Sequence, residues 1–276
     1  MSRCDVIFQN NIREIIQNGY SDEDQEVRPK WEDGSPAHTI KRFAVINRYD
    51  LSKEFPIMTL RQVFYKSAVE ELLWIWQQKS NLVADLSTGI WDQWVLPDGT
   101  IGKAYGYQLA QKHKYKEGMF DQVDRVLYDL KHRPYSRRMI VNMFNHNDLY
   151  EMALYPCAYS MTFNVTGNKL NAILNQRSND MLVANHWNVT QYAVLLAMFA
   201  QVSGFEAGEF VHVIADAHIY DRHIPIVKTI IERQAYPAPK LQLDTSVKNF
   251  YDFSVDSVFF ENYQHGAPVR DIPVAI

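Results

Sequence analysis

The chain has 276 residues, 47% of them hydrophobic and 22% charged, which is ample apolar material for one large globular core. Its net charge of −4 argues against a broad nucleic-acid face, and no run of about 18 apolar residues is present to cross a bilayer. The two cysteines, Cys4 and Cys157, form neither a disulfide framework nor a CxxC metal site.

Residues 1–276 are read as a single domain, because no repeat, low-complexity segment or Gly/Ser-rich linker divides them. The opening MSRCDVIFQNN lacks the apolar stretch of a signal peptide, so a cytoplasmic location is expected. Residues 21–56 are rich in charge, Pro and Gly and read as a loop, with a strand pattern inside IKRFAVINRYDL. From Thr59, TLRQ has the pattern of a capping box, and the segment after it is apolar almost all round, AVEELLWIW leaving only Glu70 and Glu71 polar. The basic run QKHKYK reads as a solvated loop rather than a phosphate track. RRMIVNMF, AYSMTFNV and KLNAILNQ are predicted strands, the last two joined by a TGN turn. A second all-round apolar helix follows Asn188 and stops at Gly204, and further strands are expected in EFVHVIADAHI and near VDSVFF. The fold class is α+β, a mixed β-sheet packed against long buried helices.

Polar groups in such surroundings need partners or a function. A carboxylate in AVEELLWIW must be satisfied or carry a raised pKa, which makes one of the two glutamates a proton-transfer candidate; solvent exposure or an ion pair is the alternative. Cys157 follows Pro156 at the mouth of a strand, LYPCAYSMTF, where a thiol is displayed at the strand edge; a small core hydrophobe is the alternative there. Arg177, Ser178, Asn179 and Asp180 gather a guanidinium, a hydroxyl, an amide and a carboxylate at a strand end, a combination suited to phosphate and a polar heterocycle. In IADAHIYDRH, Asp216, His218 and Tyr220 alternate, so His218 and Tyr220 share one strand face. The His218 to His223 spacing fits no common zinc motif, and no metal is expected.

The order EELLWIWQQKSN, GIWDQW, AYGYQL, YSRRMIVNMFN, Pro156-Cys157, QRSND, the Asn that closes NHWN, DAHIYDRH and the terminal PVAI resembles the thymidylate synthase family over nearly the whole chain. The resemblance implies a homodimer that transfers a one-carbon unit from 5,10-methylenetetrahydrofolate to C5 of dUMP, through a covalent adduct of Cys157 with C6. It implies that Glu71 organises water and moves protons at O4, that Tyr105 helps remove the C5 proton, and that Asn188 reads the pyrimidine edge. Arg28, Arg177 and Ser178, with Arg137 and Arg138 from the other subunit, would hold the phosphate, and His218 and Tyr220 the deoxyribose hydroxyl. Asp180 would bond the pteridine, while Trp91, Trp94, Leu154, Ala184, Trp187, Ala275 and Ile276 would line and close the folate site. Neither a membrane nor a nucleic acid is needed for this chemistry.

The departures from the family pattern gather at the folate end. Ala158 stands where most members have a histidine after the cysteine. Ala184, His186 and Trp187 replace a Gly, a Pro and a Phe, and Arg61 and Phe64 occupy the places of a Lys and a His. Two outcomes share the first steps: hydride transfer from the reduced folate gives dTMP, and capture of the C5 methylene by water gives 5-hydroxymethyl-dUMP. A catalytically silent nucleotide- or RNA-binding member is a third reading. Asn188 also has an alternative role, as the cap of the helix NVTQYAVLL with Gln191 as the second half of a capping box.

Overall fold

The computed structural model describes every residue from Met1 to Ile276. Its elements in chain order are α1 (Arg3–Asn18), β1 (Tyr20–Ser21), β2 (Thr39–Asp50), α2 (Tyr65–Trp76), α3 (Gly106–Ala110), β3 (His113–Tyr115), β4 (Gly118–Phe120), α4 (Gln122–His132) and β5 (Ile140–Asn142). They continue with β6 (Ala158–Thr166), β7 (Lys169–Gln176), β8 (Asn179–Asp180), α5 (Asn185–Ser203), β9 (Glu206–Tyr220), α6 (Ile224–Ile231), β10 (Lys240–Leu243) and β11 (Val258–Glu261).

The main sheet runs β1-β2-β9-β7-β6-β5, with β8 beside β9. The β6–β7 hairpin turns at Gly167, whose φ of 62° is open to glycine. β7 and β8 run parallel to β9 while the other pairs are antiparallel, so the expected mixed α+β sheet is present. That parallel register matters for function, because it sets Asp180 beside His218. α2 and α5 cover one face of the sheet. Trp76 of α2 meets Tyr192 and Phe199 of α5 edge-on, with ring centroids 6.2 Å apart in both cases. α5 is apolar on all sides and buried along nearly its whole length, and it ends at Gly204 in the left-handed region, where no Cβ opposes the turn.

Three local expectations are corrected. Thr59 caps no helix: its N–H and Oγ1 donate to the buried carboxylate of Asp5 at 2.8 and 2.5 Å, and α2 starts only at Tyr65. The Asp5 carboxylate takes both the N–H and the hydroxyl proton of Thr59 in charge-assisted bonds, whereas a helix N-terminus offers only N–H donors. Asn188 is no cap either, since α5 begins at Asn185 and Asn188 lies inside it. QKHKYK is not a plain loop, because His113–Tyr115 pairs with Gly118–Phe120 in a small hairpin. The Arg125 guanidinium stacks 4.4 Å from the Tyr115 ring centre and so ties the hairpin to α4. Within 21–56 the strand pattern of IKRFAVINRYDL is β2, whose start Asp22 anchors by accepting from the N–H and Oγ1 of Thr39.

Candidate active site

Cys157 stands one residue before β6, brought there by Pro156, whose fixed φ extends the chain into the strand. Its Sγ receives Arg177 Nη2 at 3.5 Å and Ser178 Oγ at 3.7 Å. Arg177 cannot drift from this position. Its Nη2 and Nε donate to the carbonyls of Tyr155 and Pro156 at 2.8 and 3.2 Å, and its backbone N–H donates to the Cys157 carbonyl at 3.0 Å. A guanidinium and a hydroxyl aimed at one sulfur stabilise negative charge on it. The Cys157 N–H donates to Tyr105 Oη at 3.0 Å. Tyr105 holds φ 44°, a region costly for a bulky residue, at the point where α3 begins. Burial, and then the neighbouring Cys157, push its phenol well above the usual tyrosine range.

Glu71 is buried on α2, and its carboxylate is met by three N–H donors. Trp91 Nε1 reaches Oε1 at 2.7 Å, while Trp187 Nε1 at 2.6 Å and Gln191 Nε2 reach Oε2. Burial raises the carboxyl above its ordinary value, and the three hydrogen bonds work against that rise. Glu70 is the more exposed of the pair and accepts from the N–H and hydroxyl of Ser87. From Glu71 a chain of amides leads away: Gln191 Oε1 accepts from Asn188 Nδ2 at 3.3 Å, and Asn188 Oδ1 accepts from Gln176 and Asn179 at 3.1 and 3.2 Å. Gln176 Oε1 in turn faces His212 Nε2, and burial pushes the His212 imidazole down to about 3, so that ring is neutral.

The outgoing end of β9 supplies a third group. His218 Nδ1 lies 2.8 Å from Asp216 Oδ1, and the His218 and Tyr220 rings meet edge-on at 5.2 Å, on one face as their alternation requires. Asp180 accepts from the N–H groups of Leu182 and Val183 at 2.8 and 3.0 Å, and its Oδ2 lies 3.5 Å from His223 Nδ1. Burial opposes the charged form of both partners, yet the contact prevails, lowering the Asp180 carboxyl and raising the His223 imidazole. His223 Nε2 donates to the Pro273 carbonyl at 2.7 Å, which brings the C-terminal tail to the same place. Beyond it, Ile276 and Lys30 exchange backbone hydrogen bonds of 2.8 and 3.0 Å, so the tail is clasped by the segment that carries Arg28. Burial, and then Asp180, push the Tyr220 phenol up to about 12, and the Arg28 charge works against that rise.

Residues 6–276 match the family model described as thymidylate synthase. The chain belongs to the thymidylate synthase family. It is 47% identical over 271 residues to the thymidylate synthase of Bacillus licheniformis, covering 96% of this chain and 97% of that protein. It is 48% identical over the same length to the thymidylate synthase of Bacillus mojavensis. Among solved structures it resembles the thermostable thymidylate synthase A from Bacillus subtilis with a TM-score of 0.95, at 45% identity and with 100% of both chains covered.

Set against the thymidylate synthase pattern, the structure brings Cys157, Arg177, Ser178 and Tyr105 into one hydrogen-bonded group, which the Trp91 ring, 5.4 Å from that of Tyr105, links to Glu71 and, through Gln191, to Asn188. It joins Asp180, His218, Tyr220 and the tail into a second. Trp91 and Trp187 both turn their N–H groups to Glu71. Trp94 packs edge-on to Trp91 at 5.8 Å, Leu154 lies half-buried against the core, and Ala184 bonds back to the Asp180 carbonyl at 3.0 Å. Arg137 and Arg138 are exposed and make no side-chain hydrogen bond or ion pair in their own chain. The Met139 carbonyl accepts from Phe163, six residues along β6 from Cys157, or about 20 Å away at the rise of a strand.

At the rebuilt folate end two of the replacements meet, although Arg61 Nε and His186 Nδ1 are buried without a partner. Ala158 is buried without a polar group, and Phe64 is half exposed. Arg61 is buried and donates to His186 Nε2 at 2.9 Å and, more weakly, to the Leu182 carbonyl at 3.4 Å. Burial, and then Arg61, hold His186 well below the usual histidine range, so it is a neutral acceptor; burial, followed by Arg233, pulls Arg61 down to about 10. Sequence reasoning missed Gln176, Gln191, His212 and His223 as parts of the site. For Gln191 a signal was available, since a polar residue in an all-round apolar helix demands a buried partner just as Glu71 does. No helix is long and apolar enough to cross a membrane, and no group of three or more His, Cys, Asp or Glu could hold a metal ion.

Proposed function

We propose that residues 1–276 form one catalytic unit that converts dUMP to dTMP, with Cys157 as the covalent nucleophile. The activity is that of a folate-dependent thymidylate synthase. Its cosubstrate, 5,10-methylenetetrahydrofolate, supplies both the methylene carbon and the hydride. The observation that carries the assignment of Cys157 is its sulfur, held by a guanidinium at 3.5 Å and a hydroxyl at 3.7 Å. Addition of the thiolate to C6 makes C5 nucleophilic, and Arg177 limits the cost of the charge on sulfur before the bond forms. Asn188 offers its amide to the uracil edge, donating to O4 and accepting from N3–H, the latter in exchange for one of the two bonds its Oδ1 accepts from Gln176 and Asn179. Glu71 moves protons at O4, and Tyr105, a neutral phenol beside Cys157, helps to remove the C5 proton to solvent. Arg28, Arg177 and Ser178 bind the phosphate, His218 and Tyr220 the deoxyribose hydroxyl, and Asp180 the pteridine. Trp94, Leu154, Ala184, Trp187, Ala275 and Ile276 enclose the folate.

The site is completed by a second copy of the chain. Ile140 of β5, Ile173 of β7 and Ile46 of β2 are exposed, and the strand register sets them on one face of the sheet with Thr162, Val211 and Val213. A row across five strands opposite the helices, apolar but for Thr162, requires a cover, and a back-to-back copy supplies one. Arg137 and Arg138, idle in their own chain, then reach the partner's phosphate site.

The test is product analysis by mass spectrometry with dUMP and methylenetetrahydrofolate, alongside tritium release from 5-tritiated dUMP. A methyl product with tritium release is expected. A hydroxymethyl product would replace the synthase outcome with water capture, and no tritium release would leave only the silent binding protein.

A further inference from the structure

The proton-handling role proposed for Glu71 does not explain why two groups from α5 converge on a single oxygen of it. Oε1 accepts once, from Trp91, whereas Oε2 accepts from both Trp187 and Gln191. A carboxylate oxygen has two lone pairs, so Oε2 is saturated and Oε1 keeps one position open. We propose that Trp187 and Gln191 are positioning residues that lock Glu71 with Oε1 alone free for proton exchange, and that keep the carboxylate ionised where no cation is present to do so. The inference rests on the proposed role of Glu71.

Three observations support it. First, no Lys, Arg or His lies within ion-pair distance of Glu71; the titratable groups that face it are the phenols of Tyr105, at the start of α3, and Tyr192, on α5 itself, both uncharged. Glu70, its neighbour on α2, points to Ser87 instead. In such a setting, N–H donors are the means left to oppose desolvation. Second, the Gln191 amide can sit only one way round. Its Nε2 faces two groups that can only accept, the Glu71 carboxylate and the Ala68 carbonyl at 3.0 Å, so its Oε1 is turned to Asn188 Nδ2. Third, the turn that carries Trp187 is pinned by its neighbour. His186 is buried, accepts from Arg61 through Nε2, and gives its carbonyl to the Thr190 hydroxyl at 2.9 Å. The replacements at 61, 186 and 187 are therefore connected in space: one brace holds the indole whose N–H serves Glu71.

The test is the pH dependence of tritium release from 5-tritiated dUMP with methylenetetrahydrofolate, for wild type, Trp187→Phe, Gln191→Met and the double variant, with Glu71→Gln as control. Removing a donor raises the pH at which Glu71 ionises. The acid limb is therefore expected at higher pH in each single variant and higher still in the double variant, whatever the height of the plateau. If both single variants remain folded with the acid limb of wild type, losing only rate at every pH, the two residues are merely structural and the inference is overturned. Should Trp187→Phe fail to fold, the Gln191→Met limb decides by itself. Glu71→Gln separates the two levels of the argument. Wild-type turnover in that variant removes Glu71 from the reaction, whereas loss of turnover there with unmoved limbs in the others overturns the positioning role alone.

Discussion

The two halves of the site are built on opposite principles. Around Cys157 the groups are charged or hydroxylic, half open, and fixed through backbone contacts: Arg177 is held by three main-chain carbonyl and amide bonds from residues 155–157. Around Glu71 the carboxylate is buried, the partners are neutral amides and indoles, buried or half-buried, and each is fixed by the next side chain in line. The first arrangement suits a group that must gain charge and bind an anion in water. The second suits a proton carrier whose affinity is set by desolvation against counted hydrogen bonds. A substitution on the Cys157 side should therefore remove a step outright, while one on the Glu71 side should change selectivity or pH response.

The largest effect belongs to Cys157→Ser. A hydroxyl fills the same space but is a poor nucleophile here, so turnover should fall by at least about 10³-fold while dUMP binding, measured by calorimetry, persists. Retention of a few per cent of wild-type activity would erase the contrast between the two halves. Next is Arg138→Ala, expected to be inactive because the phosphate loses a guanidinium supplied across the dimer. Mixed with inactive Cys157→Ser protein under proven subunit exchange, it should regain activity, since one site of the heterodimer is then intact. Absence of complementation would place both arginines outside the site.

Asn188→Asp tests the junction of the halves. If Asn188 reads the base, kcat/KM for dUMP falls and that for dCMP rises, because a mismatched buried polar edge costs about 1–3 kcal/mol. An unchanged ratio would dismiss Asn188 as the reader. The smallest effect serves as a control remote from the chemistry. Asp121 accepts from Lys79 and Lys112 at 2.6 and 2.7 Å; burial opposes its charge, but the Asp124 backbone N–H and the two lysines outweigh that and hold its carboxyl down to about 2, against an ordinary 3.8. A depressed carboxyl stabilises the fold above its unfolded value and loses that contribution as pH falls through its folded one. Asp121→Asn should thus cost about 1–2 kcal/mol at pH 7, and the thermal stabilities of variant and wild type should converge between about pH 4 and pH 2. Unlike the site variants, it should leave selectivity unchanged.

Local pattern was enough for the elements whose signal is carried by nearest neighbours. The two all-round apolar helices, the β6–β7 hairpin and the shared face of His218 and Tyr220 follow from period, turn residues and alternation. So does the prediction that one glutamate of AVEELLWIW is buried, because the helix has no polar face to offer it. Residue type and motif order were likewise sufficient to nominate Cys157, Arg177, Ser178 and Asp180.

What no local pattern could decide is which polar groups answer one another across the fold. Thr59 had the spacing of a cap, yet it was claimed by Asp5, 54 residues earlier. Asn188 and Gln191 had the same spacing, but the amides were drawn to Gln176, Asn179 and Glu71. Trp187, His186 and Arg61 were expected to gather at the folate end, but only packing joined Arg61 to His186 beside the indole. The physical reason is common to all of these. A capping bond at a solvated helix end is worth little more than the water it replaces, whereas a buried donor without a partner costs several times as much, so the interior takes the groups it needs first. Sequence sets which polar groups are carried into the core, and only the tertiary structure sets their partners.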